Sequence, residues 1–144
     1  MLDDNISSAM DLMVGDIRRA GYGILTSTSP ASLFTVENDS AIQIGDSGKC
    51  ILFAYEKTYR EGNQVAVVDD EDRSGYRLMC GSIAIKAAPD ASCANVSCPC
   101  PPEDSKADWN CLTDTNLVNI SHLAFDTSDS QCFNFTQNTL VSGL

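Results

Sequence analysis

The chain is expected to fold as an α+β domain. One N-terminal amphipathic helix would pack on an antiparallel β-sheet, with a disulfide-stapled loop. Three features lead there. Apolar residues recur at helical spacing only near the N-terminus. Short runs rich in β-branched and aromatic residues fill most of the chain beyond that helix, and all seven cysteines lie from Cys50 onward. A helix must bury its apolar stripe and a sheet its apolar face, and laying one on the other satisfies both. At 144 residues the whole chain is read as a single domain, with the helix over 1–23 and a β-rich head over 24–144.

The helix rests on Leu2, Ile6, Met10 (with Ala9), Met13, Ile17 and Ala20, which succeed one another at three- and four-residue steps and so share one stripe. Asp3 and Asp4 sit at the positive end of the helix dipole, Arg18 and Arg19 at its negative end. Gly21 and Gly23 supply the stop. Because the pattern begins almost at the first residue, it reads as the interior of a longer natural helix.

A Ser/Thr/Pro-rich loop over 26–32 leads into extended runs at 32–36, 41–44, 50–55, 64–68, 76–80, 82–86, 117–125 and 131–135, bounded by Gly, Asn, Asp and Ser. No second helix is expected. If 50–55 and 75–80 form a hairpin, Cys50 faces Cys80, Leu52 faces Leu78 and Ala54 faces Tyr76, all on one apolar side. Facing cysteines in a non-hydrogen-bonded pair stand near disulfide distance. A Cys50–Cys80 bridge is therefore predicted.

Cys93, Cys98, Cys100, Cys111 and Cys132 remain, with no pairing assigned. Seven cysteines in a chain of this size suit an oxidising compartment. A thiolate zinc site from Cys93, Cys98, Cys100 and Cys111 is the competing reading, but the paired CxxC knuckles of zinc ribbons are absent. Cys98 and Cys100 are too close in sequence to bridge each other. The odd count leaves at least one thiol free or paired outside the chain. Five N-x-S/T sequons, beginning at Asn5, Asn38, Asn95, Asn119 and Asn134, admit two readings: glycosylation in a eukaryotic secreted protein, or chance matches in Asn/Ser/Thr-rich loops.

The net charge of −11 excludes classes of partner. Nucleic-acid backbones and anionic lipid both require clustered Lys and Arg. No apolar run approaches the ~20 residues of a membrane span. Catalytic chemistry has little to work with. His122 is the single histidine, in the alternating run Asn119-Ile120-Ser121-His122-Leu123, and reads as a half-exposed strand residue. No nucleophile elbow, P-loop, dinucleotide fingerprint or HExxH is present. No enzyme and no cofactor are expected. Asp69, Asp70 and Asp72, within the run Asp69-Asp70-Glu71-Asp72, are a weak calcium candidate, since calcium takes six to eight oxygens. The run lacks EF-hand order and reads rather as a solvated hairpin tip. Trp109, in a polar Cys-rich segment, is a partner anchor or a core plug for its loop.

Several segments together resemble one family. Asp11-Leu12-Met13-Val14-Gly15-Asp16-Ile17-Arg18-Arg19-Ala20-Gly21-Tyr22-Gly23 is similar to the end of the long N-terminal helix of PilW-type minor pilins, which closes on D-I-R-x-A-G-Y. Cys50-Ile51-Leu52-Phe53-Ala54-Tyr55 looks like that family's C-I-L-x-x-Y strand, and Gly75-Tyr76-Arg77-Leu78 like its G-F/Y-R-L strand. Trp109, Leu112-Thr113-Asp114, Val118-Asn119-Ile120 and Leu123-Ala124-Phe125 resemble its W-x-x-L-T-D … V-x-I-x-x-L-x-F run. The matches are collinear over most of the chain. The family usually continues with further strands beyond the last of them, whereas this chain stops at Leu144.

The resemblance implies a pilin-like domain whose residues 1–23 are the C-terminal half of the pilin helix. The leader and apolar half-helix would precede Leu2. It implies a prepilin cut by a prepilin peptidase, held in the inner membrane facing the periplasm, then inserted into an extracellular type IV pilus near its tip. Other minor pilins and the major pilin would be its partners. Its work would be packing, with Asp16, Arg18 and Arg19 facing neighbouring subunits and the loop 93–111 offering a stapled contact surface. A minor pseudopilin of a type II secretion system shares these features. A eukaryotic secreted disulfide-rich binding module is the alternative from another class.

Overall fold

The computed structural model describes residues 2–21, 42–55, 72–94, 108–128, 131–134 and 139–142. Among these residues one α-helix, α1 (Leu2–Ile17), precedes seven strands: β1 (Ile42–Gly45), β2 (Cys50–Ala54), β3 (Arg73–Met79), β4 (Ser82–Lys86), β5 (Trp109–Cys111), β6 (Gln131–Asn134) and β7 (Thr139–Ser142). The first five form an antiparallel sheet in chain order, and β6 pairs with β7. This is the expected α+β arrangement. The expected loop at 26–32 and runs at 32–36 and 64–68 lie outside the described residues.

The two-residue alternation of a strand gives the large sheet two apolar faces. Ile51, Phe53, Tyr76 and Ile83 turn toward α1 and pack with its Ala9 and Met13. Cys50, Leu52, Met79, Ala84 and Trp109 form a second cluster on the other face, with Ala91. The helix seats itself along Ala9, Met13, Ile17 and Ala20. Met10, expected on the buried stripe, is instead 42% exposed, so the stripe lies rotated toward Ala9. α1 ends at Ile17, and Gly21, with φ of 79°, turns the chain so that its N–H reaches the Ala54 carbonyl at 2.8 Å.

The β2–β3 register departs from the expected one. Cys50 lies opposite Arg77, Ile51 opposite Tyr76 and Leu52 opposite Gly75. The odd slip relative to a Cys50–Cys80 pairing moves Tyr76 to the helix face. Two causes fix it. Gly75 has no side chain where a Cβ would stand 2.6 Å from Leu52 Cδ2 and 2.8 Å from the Ile51 carbonyl. Cys80 and Gly81, with φ of 53° and 78°, form the two-residue turn between β3 and β4. Cys80 is thus a turn residue, not a strand residue facing Cys50.

The segment 117–125, expected as a strand, joins no ladder. It runs as a strap across the sheet's turns, held by Ile120 N–H donating to the Gly81 carbonyl and Phe125 N–H to the Gly48 carbonyl, each at 2.7 Å. Thr113 anchors its start. The Thr113 hydroxyl accepts from Ile83 N–H at 3.1 Å, and the Ser82 hydroxyl donates to the Thr113 carbonyl at 2.7 Å. Strand β5 forms where the sequence predicts a loop around Trp109; it pairs with β4 through Ala84–Cys111, Ile85–Asn110 and Lys86–Trp109.

Candidate functional site

The residues expected on an assembly face divide at the end of α1. Asp16 turns inward. Its carboxylate accepts hydrogen bonds from the Tyr76 hydroxyl at 2.5 Å and the Tyr55 hydroxyl at 3.3 Å. Its side chain is only 17% exposed and faces the protein's own sheet. Arg18 and Arg19 are exposed. Arg19 lies 3.8 Å from Asp16 and holds its guanidinium 6.0 Å from the centre of the Tyr55 ring. Burial, then the Asp16 carboxylate, pushes the Tyr76 phenol far above its usual range, and the same two causes raise Tyr55.

Tyr55 and Tyr76 are site residues that the sequence alone does not single out. The available signal is Asp16 itself, since a carboxylate in the last turn opposes the helix dipole and calls for donors from elsewhere.

A second polar cluster occupies the opposite face of the sheet. Arg77 has no exposed surface, pairs with Asp46 at 3.1 Å and lies 5.3 Å from the Trp109 ring centre. Stacking on an indole suits the planar guanidinium. Trp109 is therefore part of the core, where it is 2% exposed, and packs strand β5 onto it. Asp46 stands in a left-handed turn, φ 50°, a conformation that aspartate tolerates better than most residues.

The disulfide prediction is corrected. Cys50 is bonded to Cys93, with Cα atoms 5.7 Å apart, and not to Cys80. The strand alternation places Cys50 on the face away from α1, where the 87–94 segment passes, and Cys93 crosses Gly45, the strand neighbour of Cys50. Cys80 and Cys111 are disulfide-bonded as well. Cys98 and Cys100 lie outside the described residues, and Cys132 is in β6. The stapled 87–94 segment borders a cleft of about 600 Å³ beside Gln43, Arg73 and Lys86. The Lys86 ammonium donates to the Ala88 and Pro89 carbonyls at 2.7 and 2.8 Å, so it braces this segment.

Of the calcium candidates, Asp69 and Asp70 lie outside the described residues. Asp72 is 3% exposed, and its carbonyl accepts from Tyr55 N–H at 3.1 Å. Among the described residues no group of three or more His, Cys, Asp or Glu is placed to hold a metal ion. Ser121 and His122 are exposed on the strap. Among the described residues no helix is long and apolar enough to cross a membrane.

A helix laid along one face of an antiparallel meander, with a disulfide on the other face, defines a pilin-like α+β protein. A family model described as PpdB, Prepilin peptidase-dependent protein B, matches residues 1–142, and the chain belongs to that family. It is a type IV pilus-related, prepilin peptidase-dependent protein. No curated protein and no solved structure matches it.

Proposed function

We propose that this protein is a PilW-like minor pilin. In this reading it primes assembly of a type IV pilus by packing against other minor pilins and the major pilin, near the filament tip. It is held in the inner membrane facing the periplasm before assembly, and becomes part of the extracellular pilus afterwards. The role is one of packing, so it uses no catalytic residue and no cofactor. The observation that carries the reading is the family match over 1–142 of a chain whose helix lies on an antiparallel sheet. The paired cysteines support it, because disulfides persist in an oxidising periplasm.

The test is deletion of the gene, with complementation by wild type and by Arg18→Glu. Arg18 is exposed, so reversing its charge should lower the number of surface pili while the purified variant keeps its unfolding midpoint. Unchanged piliation on deletion would overturn the pilus role. Intact pili together with lost protein secretion would assign the chain to a type II secretion system instead.

A further inference from the structure

We infer that the groove between α1 and the strap is a docking site for a cationic, apolar-anchored helix of a different protein. The groove has a volume of about 280 Å³. Ile6 and Met10 form its helix wall, and Val118, Ile120 and Leu123 its strap wall, with Ile83 in its lining. Its surface extends onto solvent. Met10 and Val14, one helical turn apart, are 42% and 41% exposed, and Leu117 on the strap is 59% exposed. Ile6, Met10 and Val14 thus make a line of apolar side chains beside the seat that α1 uses on its own sheet. An apolar line flanked by polar residues is how a groove receives an amphipathic helix.

Charge selects the occupant. Besides the inward-turned Asp16, α1 carries Asp3, Asp4 and Asp11, and it has no lysine or arginine. The segment 108–128, which supplies the other wall, carries Asp108, Asp114 and Asp126, again with no lysine or arginine. Both walls therefore come from stretches whose formal charge at neutral pH is wholly negative, in a chain of net charge −11. A second copy of this protein would bring like charge to the contact, which disfavours self-association through this face. Anionic lipid and nucleic acid are disfavoured for the same reason. A helix with apolar anchors and flanking lysine or arginine gains on both counts. The inference rests on the reading of the protein as a subunit that packs against other pilins, and it adds the chemical class of the partner segment and the place where it docks.

The experiment titrates the isotope-labelled chain with a helical peptide of leucine and lysine, and with its twin carrying glutamate for lysine. The Leu/Lys peptide is expected to move the amide signals of Ile6, Met10 and 118–123. Binding should weaken with added salt, and Met10→Arg should raise its dissociation constant by about tenfold or more. Met10 is exposed enough for this change to leave the fold intact, which the unfolding midpoint checks. Shifts spread over the acidic surface with no sensitivity to Met10→Arg would overturn the site. Equal binding of the Leu/Glu twin would overturn the charge assignment. A photo-crosslinker placed in cells at Met10, and separately at Arg18, distinguishes the two readings. Pilin adducts at Arg18 but none at Met10 overturn the groove and leave the pilus role standing. If no pilin is captured at either position while the Leu/Lys peptide still binds the groove, the pilus role falls and the groove stands.

Discussion

Asp16 is placed where a helix least favours a carboxylate, and two tyrosine hydroxyls from the sheet compensate it. Removing it leaves the hydroxyl of the fully buried Tyr76 without its acceptor. Asp16→Ala is therefore expected to cost about 1–3 kcal/mol, read from the urea midpoint; an unchanged midpoint would show that the contact contributes nothing. The pH dependence has a definite sign. The phenols of Tyr76 and Tyr55 are both raised above 10.0 in the folded protein, so their protonated forms are favoured there. Their contribution is whole below the unfolded value, about 10, and is lost as pH rises beyond it. Stability should fall above about pH 10 and fall less steeply in Tyr76→Phe. Equal slopes for the two proteins would remove Tyr76 from the explanation.

At the scale of elements, Gly75 sets how β2 and β3 meet. Gly75→Ala would drive a methyl into Leu52 and the Ile51 carbonyl. The expected loss is about 1–3 kcal/mol by thermal or urea unfolding; a neutral substitution would show that the strands can spread at no cost.

The elements also show what a single chain reveals. The runs behind β1, β2, β4 and β6 are legible because β-branched and aromatic residues cluster there between turn formers. Helix existence is legible from its spacing, but its rotation is not. Ala9 and Met10 are adjacent apolar residues, and only the sheet decides which of them faces inward. Register is misread because Cys50, Leu52 and Ala54 offer an apolar side, and so do Ile51 and Phe53. A strand buried on both faces carries no alternation to fix its phase. The Cys80-Gly81 pair is the missed cue: a Gly-containing two-residue turn closes the β3–β4 hairpin and removes Cys80 from pairing with β2. The strap 117–125 has strand composition without strand pairing, which no local pattern could distinguish. Of the candidate site, the exposed arginines are legible, whereas the tyrosines meeting Asp16 come from 39 and 60 residues away.

For the molecule as a whole, the two faces of the sheet are held by different means. The helix face relies on apolar packing and the Asp16 hydroxyl contacts. The other face relies on the ion pair of the buried Arg77 with the more exposed Asp46, an indole and a disulfide. The Cys50–Cys93 bond closes a sequence separation of 43 residues. Loss of that constraint on the unfolded chain is worth about 2–4 kcal/mol. The paired substitution Cys50→Ala with Cys93→Ala should lower stability by that amount while leaving the α1 contacts in place. The check is the urea midpoint together with the amide spectrum of Ala9 and Met13. Changes centred on those two residues would mean that the faces are not independent.

The strap has a consequence for how the molecule opens. Two of its backbone amides, Ile120 and Phe125, bond to carbonyls of turns that lie far apart in sequence, and no ladder connects one bond to the next. Each bond can therefore break without the five-stranded sheet unravelling. In native-state hydrogen exchange these two amides should trade deuterium well before those of Leu52 and Tyr76, through local opening rather than global unfolding. A strap that lifts in this way would hinge one wall of its own groove while the helix wall stays fixed.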